Sequence, residues 1–201
     1  MGSERSAGGV GIARIYLVRH TAPAIEIGRC YGSTDVPLDE STFATELPEI
    51  ARRLPDDALI ISSPLTRCRR LAEAIAAPRG HADVQIERDL RERSFGDWEG
   101  KRWDDIAHSQ INDWRDNFLD YAPPNGESVR ALQARVTARW QRWSATQTTP
   151  LIIVAHAGPL AVLRSLVMNE TLGANAMQST PPCGSILEIR LRPAVSEIRV
   201  R

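Results

Sequence analysis

The sequence predicts an α/β protein, a three-layer α/β/α sandwich around a mainly parallel, mixed sheet. Three observations carry that expectation. Apolar, β-prone runs at 15–18, 58–61 and 151–155 are continuous rather than alternating, as in strands buried on both faces. Segments with helical apolar spacing stand between the runs, so the strands are joined by crossovers and lie parallel. Two of the runs end in histidine, His20 after Ile15-Tyr16-Leu17-Val18-Arg19 and His156 after Leu151-Ile152-Ile153-Val154-Ala155. Ligands of open α/β sheets sit beyond the carboxyl ends of the strands.

In chain order, residues 1–13 are Gly- and Ser-rich without the apolar stretch of a secretory signal, and are expected to be a disordered lead-in to a single domain, 14–201. The first strand covers 14–19. The loop 21–39 is long and carries Pro23, Gly28, Gly32 and Pro37; long loops in compact domains are usually functional. Ser41 is the expected cap of a helix running through Arg53, with Pro48 an interruption. The second strand, 58–61, ends in Ser62-Ser63-Pro64, and Leu65, Cys68, Leu71, Ala72 and Ile75 then share one helical face. Arg67 falls in the first turn of that helix, beside the ligand edge.

A short strand is expected at 84–87. Residues 90–100 mix carboxylates, aromatics and glycines, and read by themselves as a solvated turn. Residues 103–119 look helical and aromatic-rich. After Pro123-Pro124, Asn125 or Ser128 caps a helix to about 144, with Val129, Leu132, Val136 and Trp140 inward. The second histidine strand, 151–155, leads into a helix at 159–168 with Leu160, Leu163, Leu166 and Val167 apolar. Strands at 185–191 and 195–200, joined at 192–194, are expected to close the sheet as an antiparallel pair.

Composition narrows the function. The 201 residues balance 25 Lys and Arg against 25 Asp and Glu, so no global basic field attracts nucleic acid or a membrane surface. No apolar run reaches the ~18 residues that span a bilayer. Three cysteines, Cys30, Cys68 and Cys183, are an odd number without CxxC spacing, and read as reduced thiols of a cytoplasmic protein.

Two histidines and two arginines at strand ends suit an anion. Arginine stays charged and its planar fork matches phosphate oxygens. Histidine is a nucleophile when neutral and a donor when charged. Each histidine alone reads equally well as a hydrogen-bonded core residue; the pair weakens that reading. A metal would want a third ligand and would be repelled by Arg19.

The segments Leu17-Val18-Arg19-His20, 32–38, Ser62-Ser63-Pro64-Leu65-Thr66-Arg67-Cys68, Leu90-Arg91-Glu92 with 95–100, Asn125-Gly126-Glu127-Ser128 and Val154-Ala155-His156-Ala157-Gly158 resemble, in order, the motifs of the histidine phosphatase superfamily. The resemblance implies a phosphoglycerate mutase-like fold and a metal-independent phosphomonoester hydrolase without a cofactor. His20 would be the nucleophile that accepts the phosphoryl group. Arg19, Arg67 and His156 would grip its oxygens, and Glu92 would be the proton donor to the leaving oxygen. Fixed cations suit a transition state that spreads charge over equatorial oxygens.

The chain departs from the family pattern at Thr21-Ala22-Pro23, at Glu26 in place of a common Asn, and at Ala157 in place of Gly. A carboxylate at Glu26 would disfavour an anionic substrate unless it points away. The segment 100–123 is short for a mutase, and the loop 28–38 resembles short phosphatases of the alpha-ribazole phosphatase kind. A small phosphorylated metabolite, such as alpha-ribazole 5′-phosphate, is the expected substrate, in a pocket formed by Tyr31, Gly32, Trp98 and Ala157. Trp103, Trp114 and Tyr121 belong either to that pocket or to packing. Phosphoglycerate mutase-type transfer and non-catalytic phospho-ligand binding stand as alternatives, and a homodimer is left open.

Overall fold

A computed structural model of the chain describes residues 14–80, 83–146, 149–173 and 181–191. Five strands form one sheet: β1 (Arg14–Arg19), β2 (Leu59–Ser62), β3 (Gln85–Ile86), β4 (Leu151–Ala155) and β5 (Ile186–Arg190), in the order β3-β2-β4-β1-β5. All neighbours are parallel except β5, which pairs antiparallel with β1. The expected lead-in, 1–13, and the expected last strand, 195–200, lie outside the described residues.

Period-two alternation builds the layers. Ile15 and Leu17 of β1, with Leu151 and Ile153 of β4, face α4 (Val129–Thr146) and α5 (Ala157–Met168). Tyr16 and Val18, with Ile152 and Val154, face α1 (Glu40–Arg52) and α2 (Thr66–Ala76). The central strands are therefore apolar throughout, and each fully buried Ile or Leu contributes roughly 1.5–3 kcal/mol. A third, smaller core sits apart from these faces: Cys30, Trp98 and Ile106 pack with Phe95, Trp103, Trp114 and Tyr121.

Several boundaries differ from expectation for local reasons. Asp39 caps α1, its Oδ1 accepting from the Thr42 amide at 2.8 Å and from Ser41 Oγ at 2.7 Å, because a carboxylate outcompetes the hydroxyl at a helix N-terminus. Pro48 stays inside the helix on its exposed side, where water can serve the carbonyl it leaves free. The region 103–119 splits into a single 3₁₀ turn at Trp103–Asp105 and α3 (His108–Asp116). In α4 the expected Trp140 packs half-buried against the core, and Trp143, one turn beyond, is buried in it.

Candidate active site

The sheet register assembles the site. Arg19 pairs with Ala155 in parallel β1 and β4, and the His20 amide donates to the Ala155 carbonyl at 3.2 Å. The residues that follow, His20 and His156, therefore emerge side by side, with ring centroids 5.1 Å apart. Ser62 pairs with Val154, which brings Ser63 Oγ within 2.8 Å of His156 Nε2. Parallel pairing thus turns two strand ends, far apart in sequence, into one cluster.

Hydrogen bonds fix both imidazoles. His20 Nδ1 lies 2.7 Å from the Thr21 carbonyl, which only accepts, so Nδ1 carries the hydrogen and Nε2 is a bare lone pair. Burial first, then the positive charges of Arg67 and Arg19, lower the His20 pKa to about 3, while the bond to Thr21 opposes them. The ring is neutral at physiological pH, the state a nucleophile needs. His156, buried beside the same Arg67 charge, is also held neutral, its pKa well below the ordinary range. Its Nδ1 accepts from Arg67 Nε at 3.2 Å, so its Nε2 hydrogen goes to Ser63.

Arg67, in the first turn of α2, is fully buried. Its terminal nitrogens donate to the Thr34 and Gly32 carbonyls, each at 2.8 Å. Those carbonyls belong to a loop that Glu99 clamps. The Glu99 carboxylate accepts from the Ser33 amide at 2.9 Å, the Thr34 amide at 2.7 Å and the Phe95 amide at 2.8 Å, and from the Ser33 and Thr34 hydroxyls. Gly32, at φ +35°, sits so close to the Arg93 carbonyl and Glu99 that a Cβ would overlap them. Asp35 caps α2, accepting from the Thr66 amide at 2.8 Å and its hydroxyl at 2.7 Å.

Glu92 meets the site at the start of α5. Its carboxylate oxygens accept from its neighbour's amide, Arg93 N, at 2.8 Å and from the Gly158 amide at the start of α5 at 3.2 Å. A Cβ at residue 158 would collide with that carboxylate and with Leu132, so glycine follows Ala157 for a steric reason. Arg135 of α4 donates to the Asp89 and Arg91 carbonyls and pairs with Glu127 at 2.7 Å, which anchors the Glu92 segment.

A cavity of about 470 Å³ opens from this cluster. Arg19, His20 and Glu92 line it with Tyr31, Gly32 and Ala157, and so do the aromatic rings of Phe95, Trp103 and Trp114. Arg67 and His156 stand behind His20 and do not line it. Trp98, expected in the pocket, is not there either: 1% exposed, it is the centre of the aromatic core, with Nε1 bonded to Gln110. A large ring is more favourably enclosed on all sides than left half-wet. Arg93 lines the cavity and was not among the residues the sequence pointed to.

Glu26 is held by Arg29 at 2.5 Å and by Arg102, and those cations push its pKa down. It is not among the residues lining the cavity. Burial pushes the Cys30 thiol up to about 12 and the Cys68 thiol upward as well, so neither is a thiolate nucleophile at neutral pH. Among the described residues, no three His, Cys, Asp or Glu side chains group as metal ligands, and no helix is long and apolar enough to cross a membrane.

Known proteins resemble this chain in sequence and fold. Residues 15–197 match the sequence profile of the histidine phosphatase superfamily (branch 1). The chain is 31% identical over 157 residues to the adenosylcobalamin/alpha-ribazole phosphatase of Salmonella typhimurium, covering 75% of this chain and 77% of that one. It is 30% identical over 176 residues to the glucosyl-3-phosphoglycerate phosphatase of Mycobacterium tuberculosis, covering 77% and 75%. The crystal structure of a putative alpha-ribazole-5′-P phosphatase from Escherichia coli superposes with a TM-score of 0.79 at 26% identity, over 90% of this chain and 91% of that one.

Proposed function

The chain belongs to branch 1 of the histidine phosphatase superfamily, and from that premise we propose a metal-independent phosphomonoesterase that works through a phosphohistidine. The observation that carries the reading is a free imidazole lone pair: His20 Nε2, in a ring whose other nitrogen is fixed as N–H by the Thr21 carbonyl. In the first step Nε2 bonds to phosphorus as the ester P–O bond breaks, and Glu92 delivers a proton to the departing oxygen. In the second, Glu92 takes a proton from water, the water oxygen bonds to phosphorus, the N–P bond breaks and inorganic phosphate leaves.

Arg19 meets the phosphate directly, because its Nε is buried without an acceptor among the described residues. Arg67 reaches it by turning its Nε from His156 Nδ1 to a phosphate oxygen, while its outer nitrogens stay on the Gly32 and Thr34 carbonyls; His156 reaches it as a donor, its Nδ1 taking the hydrogen while its Nε2 accepts from the Ser63 hydroxyl. The substrate is a small phosphorylated metabolite that fits a cavity of about 470 Å³. The leaving groups named for the two relatives, a ribazole and a glucosylglycerate, are both candidates.

The test is His20→Ala assayed with p-nitrophenyl phosphate and with labelled phosphate transfer. Wild type should form an acid-labile phosphoprotein and turn over in the presence of EDTA, and H20A should do neither. Undiminished turnover in H20A, or its loss from wild type on chelation, would refute the reading. Phosphoglycerate interconversion stimulated by bisphosphoglycerate would assign the same intermediate to a mutase.

A further inference from the structure

Arg93 is 2% exposed, and its guanidinium has no hydrogen-bond acceptor and no carboxylate within ion-pair distance among the described residues. The nearby carboxylates are engaged elsewhere, Glu92 by backbone amides and Glu127 by Arg135. What surrounds the cation is aromatic: its centre lies 4.3 Å from the Phe95 ring and 5.2 Å from the Trp114 ring. Stacking against rings returns only part of the hydration that a buried guanidinium gives up. The group nevertheless lines the same cavity as His20 and Glu92.

The other cations on that wall differ. Arg29 is bonded to Glu26 and the Gly100 carbonyl, Arg115 is exposed and paired with Asp116, and Arg19 already donates to the Pro181 carbonyl at 2.6 Å. Burial disfavours the charged form of Arg93 and lowers its pKa, but an arginine stays charged at neutral pH. A buried, planar, charged donor fork that the protein leaves without a partner is half of a recognition pair.

We propose that Arg93 is the anchor of a second subsite, which binds a carboxylate carried by the leaving alcohol of the substrate. The subsite rests on the phosphatase reading above and narrows its substrate class: a phosphomonoester whose leaving half presents an apolar body to Phe95 and Trp114 and one carboxylate to Arg93. One guanidinium balances one carboxylate. A second phosphate would bring almost twice that charge to the aromatic wall, where Arg93 is the one cation stacked on Phe95 and Trp114 among the described residues.

Two aryl esters of matched size and similar leaving ability isolate the charge: 4-carboxyphenyl phosphate and 4-carbamoylphenyl phosphate. Wild type should prefer the carboxylate ester by about tenfold to a hundredfold in kcat/KM, the range for a charge-assisted hydrogen bond. Arg93→Met should erase the preference, bringing kcat/KM for the carboxylate ester down to that of the carbamoyl ester in the same variant, and Arg93→Lys should restore part of it. Binding of the corresponding non-hydrolysable phosphonates, followed by calorimetry, should show the same selectivity without turnover. Equal preference in wild type, or a preference that survives in R93M, overturns the subsite, and the wild-type comparison decides the matter even if R93M does not fold. H20A-sensitive turnover with no carboxylate preference would sink the subsite and leave the phosphohistidine mechanism standing; absence of any turnover, with the phosphonate selectivity intact, would do the reverse.

Discussion

Arg67 is wholly enclosed, and its nitrogens meet the Gly32 carbonyl, the Thr34 carbonyl and His156, whereas Arg93, almost as enclosed, lies against the faces of Phe95 and Trp114 with no hydrogen-bond acceptor among the described residues. Both lie within one site. The first is built into the scaffold: two strands, the start of α2 and the Glu99-clamped loop all converge on it. The second is placed by the fold but not completed by it. A satisfied buried charge is held by its surroundings and shapes them in turn, while an unsatisfied one lowers the stability of the free protein and waits for a ligand. Truncating each should therefore have opposite effects on stability.

Arg67→Met is the largest test of that contrast. It strands the buried Gly32 carbonyl, the part-buried Thr34 carbonyl and His156 Nδ1, and should destabilise the protein by about 2–4 kcal/mol in urea unfolding. It should also lower kcat/KM about 100-fold to 1000-fold for carboxylate and neutral esters alike, the range for one lost electrostatic donor. A stable R67M, or one that changes only the preference between the two esters, would erase the distinction between scaffold and subsite.

Arg67 also acts on its neighbour, which sharpens the comparison through pH. The His20 pKa falls from 6.5 to about 3 on folding, by burial first and by the Arg67 charge second. Unfolded His20 therefore binds a proton below pH 6.5 that the folded ring refuses until about pH 3. The stability contributed by neutral His20 is fully present above pH 6.5 and is lost as pH falls through that window. In wild type the His20 ring resonances, followed by NMR, should stay those of the neutral imidazole from pH 8 down to pH 5. In R67M the midpoint should move upward, toward the ordinary value. A wild-type His20 that titrates near 6.5 would mean that the ring is neither as dry nor as close to the cation as its position requires.

The same contrast explains what could be read in the sequence. His20, His156 and the layers of the sandwich were legible because strand periodicity and strand-end position are local properties, and in-register parallel pairing carries them into space. Arg67 was legible from its place in the first turn after a buried run. Arg93 was not, because in sequence it is one charge among several in 90–100, and only the folding of Phe95 and Trp114 around it makes it buried and alone. Trp98 was misplaced for the converse reason: an aromatic in a glycine-rich loop looks exposed until Trp103, Trp114 and Tyr121 close over it. The role of Glu99 depends on a loop more than sixty residues earlier, which no periodicity reports.

Glu26 marks the smallest expected effect and the limit of the comparison. Its carboxylate replaces a common asparagine close to the nucleophile, so by sequence alone it should oppose an anion. In the fold it is exposed, and Arg29 and Arg102 both turn to it. Exposed charges are screened within about 8–10 Å at physiological salt, and a carboxylate between two guanidiniums projects little net negative field. Glu26→Gln should thus leave KM for either ester within about twofold at physiological ionic strength. A larger fall in KM, growing as salt is lowered, would show that the field of Glu26 reaches the cavity, and that Arg29, released from it, competes with Arg93 for the substrate's carboxylate.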